Sequence, residues 1–236
     1  MEMKILRLYC LGNEYYVVSA HHPLPLVKGL GQSIPRREVV VLWPEGQGHC
    51  RVEQYNSLGT RVVPGTCALR CAAYVLGSGS WHLDTDTGSH LVDVRDGETV
   101  FSFFSPIYGG EYQIGWDYHG YLVNLVQRYF VTLPSNINGL DIQGQGEALD
   151  RYFGGADIIF VQEGRDIDLR IWQRGGELAG SGTGACAVAA VLYRLGRWRE
   201  PMQISMPGGK VTMEYYPQGR FLQRAEVQEV GVLDYP

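Results

Sequence analysis

The chain has 236 residues, 45% of them hydrophobic, with 20 basic and 25 acidic side chains and a formal net charge of −5. That content fills one large core or two small ones, and the acidic balance gives no electrostatic reason to expect nucleic acid or an anionic membrane as a partner. No apolar run reaches the roughly 20 residues that span a bilayer, and the opening "MEMKILRLYCLGNEYY" lacks the long apolar segment of a signal peptide, so the expected location is the cytoplasm.

The first half reads as short β-rich runs. "MKILRLY" and "YYVVSA" are separated by the Gly/Asn loop "CLGNE", and "REVVVLW" and "HCRVEQYN" are joined by the turn-like "PEGQG". An apolar helix is predicted from Thr66 to Leu76. "HLVDVRDGETVFSFF" places Asp96-Gly97 between two alternating runs, a strong hairpin signal. A Gly/Tyr-rich stretch from Ser105 to Gly120 marks a composition shift and a candidate domain boundary. The second half continues with "YLVNLVQRYFVT", read as one strand, a short helix around Glu147 to Tyr152, "ADIIFVQ" and "DIDLRIWQ". A second apolar helix is predicted from Thr183 to Leu195, followed by "MQISMP", "KVTMEYY" and "RFLQRAEV".

The two apolar helices resemble each other. "PGTCALRCAAYVLG" from Pro64 aligns without a gap on "SGTGACAVAAVLYR" from Ser181, matching Gly-Thr, Ala68 with Ala185, and Ala72-Ala73 with Ala189-Ala190. Each helix follows several strands and precedes several more. The expected architecture is therefore α+β: two pseudo-symmetric domains, 1–112 and 113–236, each a curved, mostly antiparallel sheet wrapped around one central apolar helix. A helix N-terminus offers unpaired N–H groups and the positive end of the dipole. Two such ends facing one cleft would suit a carboxylate ligand, and would stabilise charge developing on it if the adjacent carbon lost a proton.

Five cysteines, Cys10, Cys50, Cys67, Cys71 and Cys186, contain no C-x-x-C pair and read as reduced, mostly buried thiols. The six histidines are scattered without metal-ligand spacing; no metal is expected.

Several stretches together resemble the diaminopimelate epimerase family. "CLGNEYYVV" resembles that family's opening Gly-Leu-Gly-Asn-Asp-Phe loop and places Asn13 at a substrate-binding asparagine. "VEQYNSLGT" resembles its Asn-x-Asp-Gly strand end and places Asn56 at a second. "LRIWQRGGELAGSGTGACA" resembles Arg-x-Tyr-Glu-Arg-Gly-x-Gly-Glu-Thr-x-Ala-Cys-Gly-Thr-Gly-Ala-Cys-Ala with one residue deleted, and "SMPGGKVTMEY" resembles the hairpin that follows. The resemblance implies the same two-domain fold, a site at the two helix starts that needs no cofactor, two cysteines that remove and return an α-proton, and a possible homodimer.

The chain departs from that pattern at the reacting groups. Ser181 stands at the second catalytic cysteine. Pro64 or Gly65, depending on the alignment, stands at the first, with Cys67 two or three residues beyond as a candidate displaced thiol. A serine is a far weaker acid than a thiol and needs a partner base. Gln173 replaces a glutamate, although Arg174 is retained; "VQRY" (Val126 to Tyr129) replaces Gly-Asn-Pro-His; Asp157 takes an asparagine position; and "GLGQSIPRREVVV" no longer shows the first domain's Gly-x-Gly-Ala-Asp-Gly loop.

The candidate acid/base residues are thus Ser181, Cys67 and Asp157, with Asp157 expected as a solvated strand-end carboxylate, and Tyr15 and Tyr129 as possible phenols. The candidate substrate-binding residues are Asn13, Asn56, Thr66, Arg174, Gly182 and Thr183. Asn13 and Asn56 read equally well as turn asparagines. The expected function is a repurposed isomerase, tautomerase or cyclase acting on an amino-acid-like or carboxylate-bearing small molecule or peptide, as phenazine-pathway isomerases resemble the same fold and work without the cysteine pair. An inactive binding protein and a racemase with an unusual acid/base pair are the alternatives.

Overall fold

A computed structural model describes residues 3–19, 38–56, 58–95, 98–103, 106–116, 118–216 and 220–235. The chain divides into two compact units, Met1–Ser102 with Arg224–Pro236, and Phe103–Gln223.

In the first unit the strands are β1 (Met3–Cys10), β2 (Asn13–Ser19), β3 (Glu38–Gly46), β4 (His49–Tyr55) and β5 (Arg61–Val62), then helix α1 (Thr66–Leu76), β6 (Gly79–Thr85), β7 (Gly88–Arg95) and β8 (Glu98–Phe103). The pairings β1–β2, β3–β4, β4–β5, β6–β7 and β7–β8 are antiparallel, whereas β2–β3 and β4–β6 are parallel. Every residue of α1 from Thr66 to Ala73 is buried, because the helix packs against β1, β2, β3, β4, β6 and β7. A helix apolar all round needs such enclosure. The predicted hairpin is present as Arg95 opposite Glu98; its Asp96-Gly97 turn lies outside the described residues, as does "GLGQSIPRR".

The second unit holds β9 (Ile107–Ile114), β10 (Tyr118–Asn124), β11 (Arg128–Thr132), helix α2 (Ile142–Phe153), β12 (Asp157–Glu163), β13 (Ile167–Gln173), β14 (Gly176–Leu178), helix α3 (Gly182–Arg194), β15 (Met202–Met206), β16 (Gly209–Tyr216) and the first four residues of β17 (Arg220–Glu226), whose last three belong to the first unit. Antiparallel pairings join β9–β10, β10–β11, β12–β13, β13–β14 and β15–β16; β11–β12 and β13–β15 are parallel. Helix α3 packs against β10, β11, β12 and β16 and buries nearly every residue as far as Leu192. Helix α2 is amphipathic instead. It buries Ile142, Gly146, Leu149 and Phe153, one face at helical spacing, in a cluster with Phe130, Ile158, Phe160 and Trp172. Asp141 caps its start by accepting from the Gly144 N–H at 3.0 Å, and Gly154 ends it in the left-handed conformation at φ 62°.

The two units therefore repeat one order: an antiparallel pair, a parallel step, an antiparallel hairpin with a short third strand, a buried helix, a second parallel step and another hairpin. This is the α+β, mostly antiparallel, two-domain architecture expected.

Three local expectations differ. The division falls within 102–103, not at 112–113, because the Gly/Tyr-rich stretch forms β9 and pairs with β10. The C-terminal strand Gln228–Tyr235 leaves the second half to pair with β1. And "YLVNLVQRYFVT" is two strands, β10 and β11, with a tight reversal at Leu125 to Gln127, where the Leu125 N–H donates to the Gln127 carbonyl at 3.0 Å. No helix among the described residues is long and apolar enough to cross a membrane.

Candidate active site

The second unit concentrates polar side chains at the start of α3. Ser181 is extended, at φ −149° and ψ 117°, and its Oγ accepts from the Gly184 N–H at 3.0 Å. It is the helix cap. The Gly182 carbonyl accepts from Nε2 of the fully buried Gln223 at 2.7 Å, which fixes this first turn. Gly184 is small for a packing reason, since a Cβ there would sit 3.2 Å from Ile159 Cδ1. The first intrahelical bond runs from the Ala185 N–H to the Ser181 carbonyl at 3.0 Å. The Gly182 and Thr183 N–H groups have no hydrogen-bond partner among the described residues, as the opening of a helix requires.

Asp157 begins β12 in front of this turn. It is 8% exposed, which corrects the expectation of a solvated strand-end carboxylate. The ladder explains the burial: β12 is flanked by β11 on one side and β13 on the other, so its first residue starts inside the sheet. Oδ2 accepts from Nε2 of both Gln127 and Gln173, the latter at 2.7 Å; Oδ1 has no hydrogen bond among the described residues. Burial raises the carboxyl pKa to about 6, opposed by the Gln173 amide and the Arg174 charge and assisted by Asp150.

Tyr129, 1% exposed, is opposite Asp157 in the parallel ladder. Thr183, Ser181 and Gln127 hydrogen-bond its side chain, but burial, and then the charge of Asp157, push its pKa well above the ordinary phenol value. It remains a neutral phenol at neutral pH.

Arg174 lies in the two-residue turn between β13 and β14, where Gln173 pairs with Gly176. Its φ is 45° and that of Gly175 is 88°, the left-handed pair of a tight hairpin. The Arg174 side chain is exposed and makes no hydrogen bond or ion pair among the described residues. It remains a free cation whose charge is felt at Asp157.

The first unit is built on the same plan. Tyr15, 6% exposed, is opposite Glu38 in the parallel β2–β3 ladder. Gln54 Nε2 donates to Glu38 Oε2, and Gln54 Oε1 accepts from the N–H of Gly65, the cap residue of α1, at 3.0 Å. Gly65 supplies no side-chain cap. Thr66 is 5% exposed and its Oγ1 has no hydrogen-bond partner among the described residues.

Cys67 is 5% exposed and hydrogen-bonds Cys10, an interaction that, with burial and the neighbouring thiols, pushes the Cys10 thiol well above its usual value. The remaining cysteines are also buried and free. Burial raises Tyr15 first, and the adjoining Cys67 and Glu38 raise it further.

The two asparagines serve turns. Asn13 Nδ2 donates to the Leu11 carbonyl at 3.2 Å across the reversal between β1 and β2. Asn56 Oδ1 accepts from the N–H groups of Leu58 and Thr60, both at 3.0 Å.

Of the residues expected at the site, the structure brings Ser181, Asp157, Arg174, Gly182 and Thr183 together in the second unit, and Thr66 and Cys67 together at the start of α1 in the first. Sequence reasoning missed Gln127, Glu38 and Gln54. The available signal was the second copy of the repeat, in which Tyr15 and Glu38 stand where Tyr129 and Asp157 stand in the other unit.

The family model for diaminopimelate epimerase matches residues 135–229. A diaminopimelate epimerase from Rhizorhabdus wittichii is 24% identical over 252 aligned positions, covering 92% of this chain and 89% of that protein. Among solved structures, a Bacillus anthracis phenazine biosynthesis protein of the PhzF family superimposes with a TM-score of 0.81 at 9% identity, covering 100% of this chain and 99% of the other. A hydroxyproline epimerase from Agrobacterium vitis, bound to trans-4-hydroxy-L-proline, gives 0.73 at 12% identity, covering 99% and 92%. At these identities the superpositions establish the fold, and the sequence matches show a distant similarity: the chain resembles the diaminopimelate epimerases and has the diaminopimelate epimerase-like fold.

Proposed function

We infer that the chain is an isomerase of the epimerase-like class that moves a proton on an amino-acid-like or carboxylate-bearing small molecule or peptide, and that Asp157 is the proton-transfer group of the second unit. The observation that carries this reading is the state of the Asp157 carboxyl: buried, pinned through Oδ2 by two amides, with Oδ1 unbonded among the described residues and a pKa of about 6. A general base works best with a pKa near the working pH, and here burial supplies that shift without a thiol.

The unpaired Gly182 and Thr183 N–H groups and the Arg174 guanidinium suit a substrate carboxylate. They also stabilise the enediolate-like charge that develops when the adjacent carbon loses its proton. Ser181 holds the helix start in this reading and transfers no proton.

The test uses the full chain in D₂O with a pool of probes: the proteinogenic L-amino acids, L,L-diaminopimelate, trans-4-hydroxy-L-proline and itaconate, followed by NMR. Deuterium incorporation at a carbon next to a carboxylate is expected from the wild type. Asp157→Asn should lower it at least ~100-fold, within the range for loss of a general base. Incorporation by Asp157→Asn within threefold of wild type refutes the assignment.

A further inference from the structure

The second unit holds a cavity that the residues around Asp157 do not use. Its volume is about 410 Å³, and its lining includes Tyr118, Thr132, Pro134, Leu140, Gln145 and Phe160. That size falls within the roughly 300–1,000 Å³ of small-molecule sites. The alternation of side chains along a strand puts the cavity on the face of the sheet remote from Asp157. Ile159, two residues beyond Asp157, faces Gly184 at the start of α3. Ile158 and Phe160 point the other way, into the cluster built on α2, as does Phe130. Thr132, two residues beyond Phe130, stands opposite Phe160 in the β11–β12 ladder and shares its face. A molecule in the cavity therefore lies on the α2 side and cannot be the substrate whose proton Asp157 moves.

The wall between β11 and α2, which supplies Pro134 and Leu140, is fixed by its own bonds. Ile137 is 3% exposed; its N–H donates to Gln162 Oε1 at 3.0 Å and its carbonyl accepts from Arg170 Nη1 at 3.2 Å. Glu177 holds that guanidinium through two bonds, of 2.7 and 2.6 Å. Gln145 is anchored in the first turn of α2 by its own N–H, which donates to the Asp141 carbonyl at 3.0 Å. A site with such a frame loses little freedom when it is filled. The chemistry of the lining is also specific. No Lys, Arg, Asp or Glu lines the cavity, and the ring of His119, the one histidine that does, is committed to Glu111 Oε1 at 2.6 Å. The Tyr118 hydroxyl and the Gln145 side-chain amide make no hydrogen bond among the described residues. Thr132 Oγ1 donates to the His119 carbonyl at 2.8 Å, which leaves its lone pairs to accept.

We propose that this cavity binds a small, uncharged aromatic molecule bearing an amide, an auxiliary ligand distinct from the substrate. The Gln145 amide both donates and accepts, so it pairs with a ligand amide through two bonds. The Tyr118 hydroxyl and Thr132 Oγ1 take a second polar group on the ring. The ring itself lies among Tyr118, Phe160, Pro134 and Leu140, where its apolar surface leaves water. A carboxylate placed there would lose its hydration with no cation in the lining to replace it, and an ammonium would find no carboxylate. The charged molecules suited to the start of α3 are thus excluded from this second site by the same chemistry that admits a neutral one.

Isothermal titration of the full chain with 4-hydroxybenzamide tests the site, with 4-hydroxybenzoate as the charged isostere and cyclohexanecarboxamide as the non-aromatic amide. A dissociation constant of about 1 mM or tighter is expected for the benzamide, the range open to a ligand of this size. The benzoate and the cyclohexane amide should each bind at least ~5-fold more weakly. Tyr118→Phe and Gln145→Leu, each checked for folding by thermal unfolding, should weaken the benzamide at least ~3-fold by removing a hydrogen bond. Asp157→Asn, on the other face of the sheet, should keep its affinity within about twofold. No binding of the benzamide at roughly 10 mM overturns the proposal, as does equal binding of either comparison compound. So does affinity lost in Asp157→Asn and kept in Gln145→Leu, which would put the probe at the start of α3. If Gln145→Leu does not fold, Tyr118→Phe carries the test, and wild-type affinity in that variant overturns the proposal.

Discussion

Tyr129 faces Asp157 directly across a parallel ladder, and both are buried, at 1% and 8% exposure. A phenol and a carboxylate held side by side out of water cannot both be charged at neutral pH. The phenol stays protonated, and the carboxyl titrates near the working pH, at about 6. The same ladder position that buries Asp157 therefore sets its chemistry.

For activity, the sign follows from which form is needed. If Asp157 removes the proton, the carboxylate is the active form, and kcat/KM should rise tenfold per pH unit below about 6 and level off above it. A pH–rate profile of the wild type checks this. A profile flat from pH 5 to 7 would show that Asp157 does not carry the base form.

For stability, the direction is the reverse. A carboxyl whose pKa is raised on folding contributes stability below its unfolded value, near 3.8, and that contribution is lost as the pH rises through about 6. Above that point the buried charge opposes folding. Asp157→Asn keeps an oxygen that can accept both glutamine amides and removes the charge. Its stability relative to wild type should increase by on the order of 2 kcal/mol between pH 4 and pH 7. Urea unfolding at the two pH values measures this; a constant difference would mean that Asp157 is not buried as a titrating group.

The two buried helices were legible in the sequence to within about a residue at each end, because a run that is apolar on all sides after Gly-Thr allows little else. Helix α2 was legible only in part. Its buried face includes Gly146, whose missing side chain conceals the period. The reversal at Leu125 to Gln127 contains no glycine, proline or asparagine, so "YLVNLVQRYFVT" reads as one strand. That reversal carries Gln127 to Asp157, which is why part of the site was hidden. Gly109 and Gly110 belong to the Gly/Tyr-rich stretch that reads as a domain boundary. They lie in β9, where a Cβ on Gly109 would meet the Asn124 side chain at 3.0 Å and Leu122 at 3.2 Å, so close packing, not flexibility, explains the first of them. The exposure of Asp157 was misjudged because burial depends on which strands flank a strand end, and local sequence does not encode that order.

Ser181 caps α3 through a 3.0 Å bond to the Gly184 N–H. Ser181→Ala should cost about 1 kcal/mol of stability and Ser181→Gly only a few tenths, while both keep turnover within a few-fold of wild type. Chemical unfolding and steady-state rates on the same samples separate the roles. A loss of 100-fold or more in turnover with unchanged stability would restore Ser181 as a reacting group.

Arg174 adopts φ 45° at a position where asparagine is favoured. A non-glycine residue other than asparagine or aspartate held there costs roughly 1 kcal/mol, a cost that a binding role would justify. Arg174→Asn should therefore raise stability by up to about 1 kcal/mol and weaken binding of a carboxylate probe. Isothermal titration with trans-4-hydroxy-L-proline, or with whichever pool member exchanges, reads the second effect and thermal unfolding the first. Greater stability with unchanged affinity would leave Arg174 as a turn residue only.

The seat of α2 on the sheet is tested by Gly146. Helix propensity alone favours alanine there by about 1 kcal/mol. Against that, a Cβ at Gly146 would lie 2.2 Å from Trp172 Cγ, with Trp172 only 2% exposed. The indole is enclosed by Phe130, Leu149, Phe153 and Phe160 in one cluster and has little room to withdraw. Overpacking of this kind costs about 1–3 kcal/mol or more, so the steric effect exceeds the propensity gain. Gly146→Ala should lower the unfolding temperature and alter Trp172 fluorescence. Because Trp172 precedes Gln173, whose amide holds Asp157, the same variant should also move the acid limb of the pH–rate profile. A variant with raised stability and an unshifted limb would show that α2 is not seated against Trp172 in this way.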